Sequence, residues 1–384
     1  MGRLRGGAAG ALVPLALRRI GATTHWHQVL LFVARRLGSV GRMREVAYLA
    51  EEIFSERGRE AARIVLGAAL LAELGRERVE RLGPRQQKLW RDAVRKLKEV
   101  VEHGDASWRA LTPEERVAAG RLLAQLGDER ALICEQRVLW SVPFEAETYE
   151  IQRHKPGVTI SPFSIARFPV SAMQFERFLS EASARSEWWI FDGEDIREVL
   201  GERTLRLSGT VGEPNQPATS ISWYEAVAYC RWITGVARRD GWISADEIIR
   251  LPTEAEWMAA AFCDPRGGAW HAWPDQARTL LQKLQPPSLR EPLPIGLFPE
   301  CGAPAGVEDL FLTSFEWCSS SYRAPSTVAQ QAYPPSQPGP VYCGSSDGAQ
   351  FDQPRTSKDA MTPDGSDYRL GFRVVRVAEK LKSD

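Results

Sequence analysis

Thiols and imidazoles are the side chains in this 384-residue chain best suited to bind a metal or attack a substrate. All six cysteines lie beyond residue 130, at Cys134, Cys230, Cys263, Cys301, Cys318 and Cys343. None forms a C-x-x-C pair, so the spacing predicts neither a zinc site nor a disulfide framework. Reduced and mostly buried thiols are the simpler interpretation, and they favour a cytoplasmic location.

The histidines and the glycine-rich motifs predict no cofactor site. His25 and His27 are two residues apart, which places their side chains on different sides of a helix, and the third N-terminal histidine is the distant His103. The chain contains no G-x-x-x-x-G-K-[ST] sequence, so no P-loop is predicted. We therefore expect neither a metal ion nor an organic cofactor.

Two kinds of element must position these side chains. Residues 1–135 are predicted to form an all-helical domain, because apolar residues recur at three- and four-residue steps and Thr112 to Glu115 forms a capping box. Residues 136–384 form a second domain, predicted to be α+β with much irregular structure. Three of its helices begin at capping boxes (Ser171, Ser222 and Thr253), the second is expected to end at Gly235, and Leu370–Val377 is predicted to be one closing strand.

Composition and charge exclude several functions. The net charge is zero, which argues against nucleic acid as the main partner, and no apolar stretch reaches the length of about 18 residues that a membrane span needs.

The first 50 residues carry eight arginines and a single acid, Glu45. This basic region is either a solvated surface or a docking face. Pro14 interrupts the apolar N-terminal stretch and no A-x-A site follows, so a signal peptide is not predicted.

The most specific string in the sequence is R-L-P-T-E-A-E-W, from Arg250 to Trp257. It resembles the signature of the formylglycine-generating enzyme family, also called sulfatase-modifying factors. Further landmarks follow the family's order at Phe163–Val170, Pro217–Trp232, Pro294–Pro299, Phe315–Cys318 and Gly371–Val375. The resemblance covers about residues 138–377 and implies a domain of C-type lectin fold.

The resemblance does not extend to the catalytic residues of the family. Its copper-binding enzymes carry two cysteines just after an R-G-G-S-aromatic segment, whereas here Cys343 stands where the arginine is expected and no cysteine follows it. Cys318 is expected to have no second thiol beside it, so a two-thiolate copper site is not predicted. The iron-binding histidines of the sulfoxide synthases are also missing. Leu312 and Thr313 replace a Gly-Asn pair that belongs to a calcium site in some members, although Glu308, Asp309 and Glu316 could offer oxygen ligands.

Residues 343–369 resemble the variable region of diversity-generating retroelement proteins, which use this fold to display side chains that mutagenic copying changes. Scaffold-like residues such as Gly344, Arg355 and Phe372 alternate with or flank a chemically mixed set, and Trp317 is expected to assist the surface. The predicted ligand-binding residues are Tyr322, Asp347, Gly348, Ala349, Gln350, Asp352, Gln353, Lys358 and Tyr368. An ordinary polar loop is the alternative interpretation of the segment.

The predicted function is non-catalytic binding of an unknown protein or other macromolecular ligand. Two alternatives stay open. One is an oxidoreductase of the formylglycine-generating or sulfoxide-synthase type with an altered metal site. The other is a regulatory module for a separate NACHT-type NTPase, bound through the basic N-terminal helices, because parts of residues 1–135 weakly resemble the helical region that follows such NTPases.

Overall fold

The computed structural model of the protein describes residues 24–55, 60–103, 106–151, 156–182, 186–200, 213–266, 279–280, 283–284, 292–310, 314–321, 340–344, 362–367 and 369–379. The chain divides into two compact units, Met1–Glu129 and Arg130–Asp384. This division lies slightly before the boundary predicted from the sequence. The reason is that residues just after Arg130 bond to the second unit: Ser171 Oγ donates to the Ile133 carbonyl oxygen, and Gln174 Nε2 donates to that of Glu135.

The described part of the first unit is helical. Its helices are α1 (Thr24–Ser39), α2 (Met43–Ser55), α3 (Glu60–Leu74), α4 (Arg76–Arg81), α5 (Pro84–His103), α6 (Ala106–Arg109) and α7 (Pro113–Leu126). The apolar helix α3 packs against α1, α2, α5 and α7, which buries Leu70 and Leu71 completely. Thr112 and Glu115 form the predicted capping box at the start of α7.

Part of the basic N-terminal charge is neutralised within this unit. Arg35 donates from Nε and Nη2 to the carboxylate of Glu73, and Arg42 bonds Glu45 in the same way. These exposed pairs reduce the positive charge that the proposed docking face would present. No helix in the described part of the chain is both long enough and apolar enough to cross a lipid bilayer.

The second unit combines short helices with small sheets. Its helices are α8 (Ala131–Cys134), α9 (Ala172–Ala182), α10 (Ile196–Leu200), α11 (Trp223–Arg239) and α12 (Glu254–Phe262), with 3₁₀ turns at Ser186–Trp188 and Pro299–Cys301. Its strands are β1 (Glu147–Tyr149), β2 (Val158–Ile160), β3 (Ser164–Ile165), β4 (Ile190–Phe191), β5 (Glu194–Asp195), β6 (Glu247–Arg250), β7 (Phe315–Ser321), β8 (Pro340–Cys343), β9 (Leu370–Gly371) and β10 (Val375–Ala378). The strand orders are β1-β2, β3-β10-β6, β4-β5 and β8-β7-β9.

Capping boxes start the three longest helices in the described part of this unit, as the sequence predicts. Ser222 and Thr253 each accept from the backbone N–H three residues later, and the Glu side chain there bonds back. Ser171 and Gln174 form the same arrangement before α9. The predicted end of α11 at Gly235 is wrong, because the helix continues to Arg239. A Cβ atom at position 235 would lie 3.1 Å from the Trp188 ring, so this glycine permits close packing instead of ending the helix.

The predicted closing strand is two strands that belong to different sheets. Leu370–Gly371 pairs in parallel with β7, whereas Val375–Ala378 pairs antiparallel with β3 and β6. The side chain of Phe372, between them, is fully buried, with its ring 5.3 Å from that of Tyr229. The chain therefore crosses from one sheet to the other through an aromatic core, which prevents a single continuous strand.

Candidate functional site

The residues predicted to bind ligand all lie outside the described part of the chain. They are Tyr322, Asp347, Gly348, Ala349, Gln350, Asp352, Gln353, Lys358 and Tyr368. The described residues near the two ends of the 343–369 segment show how those ends are held. Its scaffold-like residue Arg355 also lies outside the described residues.

Gly344 holds the start of the segment in a conformation that favours glycine. Its φ angle is +125°, and a Cβ atom there would lie 3.1 Å from the Ser314 carbonyl oxygen and 3.3 Å from Phe315 Cα. Both neighbours are backbone atoms, which cannot move aside as a flexible side chain can. The backbone leaves β8 in close contact with β7, so position 344 belongs to the scaffold.

Backbone hydrogen bonds hold the end of the segment. The Trp223 amide donates to the Pro363 carbonyl oxygen at 3.0 Å, and the Ser220 amide donates to that of Asp367 at 3.2 Å. The side chains of Thr362, Asp364 and Ser366 are exposed. The stretch from Thr362 to Asp367 is therefore fixed through its backbone, while every second side chain is exposed to solvent.

The strand order β8-β7-β9 places both ends of the segment on one sheet. Residues 344–369 connect the two outer strands, and β7 lies between them. Trp317 on β7 is completely buried, and its Nε1 donates to the Ile221 carbonyl oxygen at 2.7 Å. The expectation that Trp317 assists the ligand-binding surface is therefore wrong, because its side chain supports the scaffold.

A buried ion pair joins β7 to the chain beyond β9. Arg373 donates from Nε and Nη2 to the Glu316 carboxylate at 2.6 and 2.8 Å, and both side chains are fully buried. Trp257 Nε1 donates to the same carboxylate at 2.7 Å. Two buried charges are tolerated because they neutralise each other and their remaining polar atoms bond to the protein.

The carboxylates considered for calcium are engaged separately. Glu316 bonds Arg373 and Trp257, Glu308 accepts from Arg167 Nη2 at 2.7 Å, and Asp309 accepts from the Gly296 amide at 2.7 Å. Burial is the main cause that raises the pKa of Asp309 to about 7. Among the described residues, no three or more histidine, cysteine, aspartate or glutamate side chains cluster as a metal site would require.

The structure corrects one prediction about the thiols. Cys318 was expected to stand alone, but its Sγ lies 3.6 Å from Cys343 Sγ. Glu316 is the register partner of Cys343 across the β7–β8 ladder, so Cys318 is the diagonal neighbour of Cys343 on the same face. Both thiols are fully buried, and burial raises the pKa of each above the usual range. The pair is therefore held as protonated thiols away from solvent.

A groove along α11 is a feature that the sequence analysis missed. It has a volume of about 1210 Å³ and is lined by one face of the helix, by β6 and by the end of β10. Trp223, Val227 and Arg231 contribute from successive turns, and this four-residue spacing is the signal that marks the face in the sequence. The thiols of Cys318 and Cys343 are not among the lining groups.

Comparisons with known proteins agree with this architecture. Residues 132–378 match the family model described as "Sulfatase-modifying factor enzyme 1-like domain". The "Hercynine oxygenase" of Mycolicibacterium thermoresistibile is 29% identical over 194 residues, which is 46% of this chain and 40% of that protein. The "Inactive C-alpha-formylglycine-generating enzyme 2" of Bos taurus is 28% identical over 57% of this chain and 78% of its own length. This chain thus spans less than half of the hercynine oxygenase.

Among solved structures, "Treponema denticola variable protein 1" aligns with a TM-score of 0.36 and 18% identity, over 62% of this chain and 92% of its own. The relatives include proteins named as enzymes and proteins named as inactive, so membership does not decide activity. The family model covers most of the chain, and the matched residues lie within the second unit, Arg130–Asp384. With its capped helices, small sheets and ordered sequence landmarks, the chain belongs to the family of sulfatase-modifying factor enzyme 1-like domains.

Proposed function

We propose that this protein is a non-catalytic ligand-binding protein of the cytoplasm that displays residues 343–369 on a C-type-lectin-fold scaffold. In this proposal it is the variable protein of a diversity-generating retroelement. Tyr322 and the mixed polar set between Asp347 and Tyr368 form the contact surface, and the ligand is a protein or another macromolecule.

The observation that carries the proposal is the way both ends of the segment are held. It leaves β8 at Gly344 and returns to β9 at Leu370, and these strands flank β7, the central strand of their sheet. The stretch from Thr362 to Asp367 is tied to Ser220 and Trp223 by its backbone alone. A rigid frame of this kind lets side chains change without loss of the core, which is what variable recognition requires.

The rival function is an oxidoreductase with an altered site, and the pair formed by Cys318 and Cys343 is what favours it. Two observations weigh against this use of the pair. Both thiols are buried, and the raised pKa values disfavour the thiolate that would attack a substrate or bind a soft metal.

A comparison of two groups of variants tests the display proposal. One protein carries Asp347, Gln350, Asp352, Gln353, Lys358 and Tyr368 replaced together by serine, and the other carries only Phe372→Ala. Surface changes usually alter the free energy of unfolding by less than about 0.5 kcal/mol each, whereas removal of a buried phenylalanine costs about 3–5 kcal/mol. We expect the multiple variant to keep the wild-type Tm and Phe372→Ala to lower it by many degrees.

The same proteins are then applied to arrays of peptides, proteins and glycans. We expect the multiple variant to lose every ligand that the wild-type protein retains. If it unfolds as readily as Phe372→Ala, the segment is part of the core and the display proposal is wrong. Sequencing of the flanking DNA tests whether the protein belongs to a diversity-generating retroelement. A reverse-transcriptase gene and a near-repeat of the 343–373 coding segment are expected there.

A further inference from the structure

The groove along α11 combines an apolar floor with one unusual cation. Phe191 from β4 lines it together with Trp223 and Val227 from α11. Arg231, also on α11, lies beside them. The Arg231 guanidinium carbon lies 4.1 Å from the centroid of the Phe191 ring, so one face of the guanidinium is covered. A cation packed on an aromatic ring is favourable and also fixes the plane of the charged group.

Hydrogen bonds hold Arg231 in place through one nitrogen. Its Nη1 donates to the carbonyl oxygens of Trp188 and Ile190, at 3.2 and 2.7 Å. Among the described residues, its Nε and Nη2 have no hydrogen-bond partner. These two nitrogens form the edge of a guanidinium that binds a carboxylate through two parallel hydrogen bonds. The side chain is therefore positioned in advance for an oxyanion.

The other arginines of the groove already have carboxylate partners. Arg238 pairs with Glu379, Arg376 with Glu247 and Arg250 with Glu256. Arg231 has no carboxylate within ion-pair distance in the described part of the chain. Burial is the main cause that lowers its pKa, and the neighbouring Cys230 opposes this shift only in part. A half-buried cation without a counter-charge gains most from an anionic ligand.

We propose that this groove binds a small organic monoanion, with its carboxylate on Nε and Nη2 of Arg231 and its apolar body against Phe191, Trp223 and Val227. The acidic side chains of Glu145 and Asp192 line the same groove, and they disfavour ligands with several negative charges, such as polyphosphates. The proposal does not depend on the function of the 343–369 segment, whose contact with the groove-lining residue Trp223 is the hydrogen bond from the Trp223 amide to the Pro363 carbonyl oxygen.

Three probes with the same phenyl body test the proposal by calorimetry on the full-length protein. They are 3-phenylpropionate, its neutral analogue 3-phenyl-1-propanol, and phenyl phosphate as a second source of an oxyanion. We expect 3-phenylpropionate to bind and to raise the Tm, and the alcohol to bind at least about tenfold more weakly, since a hydrogen bond to a charged group is lost. Equal affinity for the acid and the alcohol would overturn the proposal. Preference for phenyl phosphate would overturn the carboxylate assignment.

Three variants locate the site. Arg231→Lys keeps the charge but loses the two-pronged geometry, and we expect it to weaken 3-phenylpropionate binding about tenfold. Val227→Trp fills the groove while leaving the arginine at position 231 in the sequence, and it is expected to abolish binding. Arg239→Gln removes an arginine of the same helix that pairs with Asp240 and is not among the residues that line the groove, so its affinity is expected to equal that of the wild type. Wild-type affinity in both Arg231→Lys and Val227→Trp would show that the ligand binds elsewhere, and absence of binding to the wild type would also contradict the site.

Discussion

At the scale of single residues, buried carboxyl groups make the stability of this protein depend on pH. Burial is the first cause that raises the pKa of Asp309 from its ordinary value of 3.8 to about 7, and burial likewise raises that of Glu225 to about 7. The folded protein therefore keeps both protons over a range in which the unfolded chain releases them. The contribution of these two groups to the free energy of unfolding is fully present below about pH 4. It is lost as the pH rises towards 7.

Asp309→Asn tests this pH dependence. Asparagine keeps an oxygen for the Gly296 amide and tolerates the left-handed conformation at position 309, where φ is +59°. For the wild type, we expect Asp309 to lower the free energy of unfolding by up to about 1.4 kcal/mol per pH unit between pH 4 and 7. Urea titrations at several pH values in this range measure the free energy of unfolding. Its change per pH unit should be smaller in the variant, and Glu225 accounts for the change that remains. An unchanged slope would mean that Asp309 is ionised in the folded protein.

At the scale of elements, helix α12 depends on its cap and on its buried ring. Thr253 accepts from the Glu256 amide, and Trp257 is fully buried with its Nε1 bonded to Glu316. Thr253→Ala should cost about 0.5–2 kcal/mol, and Trp257→Ala about 3–5 kcal/mol. Denaturant melts measure both values. Thr253→Ser keeps the capping oxygen and should remain close to the wild type, whereas a neutral Trp257→Ala would contradict the placement of α12 in the core.

At the scale of the whole molecule, the family scaffold is present without the family's cysteine pair in its usual sequence position. We expect the purified protein to leave the cysteine of a sulfatase-derived peptide unmodified, with or without copper(I), because Cys318 and Cys343 are buried and protonated. Mass spectrometry of the peptide detects formylglycine, and a formylglycine-generating enzyme is the positive control. Product that disappears in Cys318→Ser would instead assign catalysis to this pair.

The family, the mixed α+β fold and the helix starts follow from the sequence, because these signals act over a few neighbouring residues. A capping box joins side chains three residues apart, and the string from Arg250 to Trp257 is continuous. The end of α11 could not be predicted in this way. Gly235 resembles a helix end, and only the neighbouring Trp188 ring explains why a glycine lies inside the helix.

The site required the tertiary structure. Cys318 and Cys343 are 25 residues apart and meet only because β7 and β8 pair in one register. Trp317 resembles an exposed aromatic in the sequence, yet the sheet buries it. Arg231 is one of many arginines until the fold shows which of them have carboxylate partners. Local hydrogen bonds encode helices within a single turn of chain, whereas burial and charge pairing depend on which distant segments become neighbours.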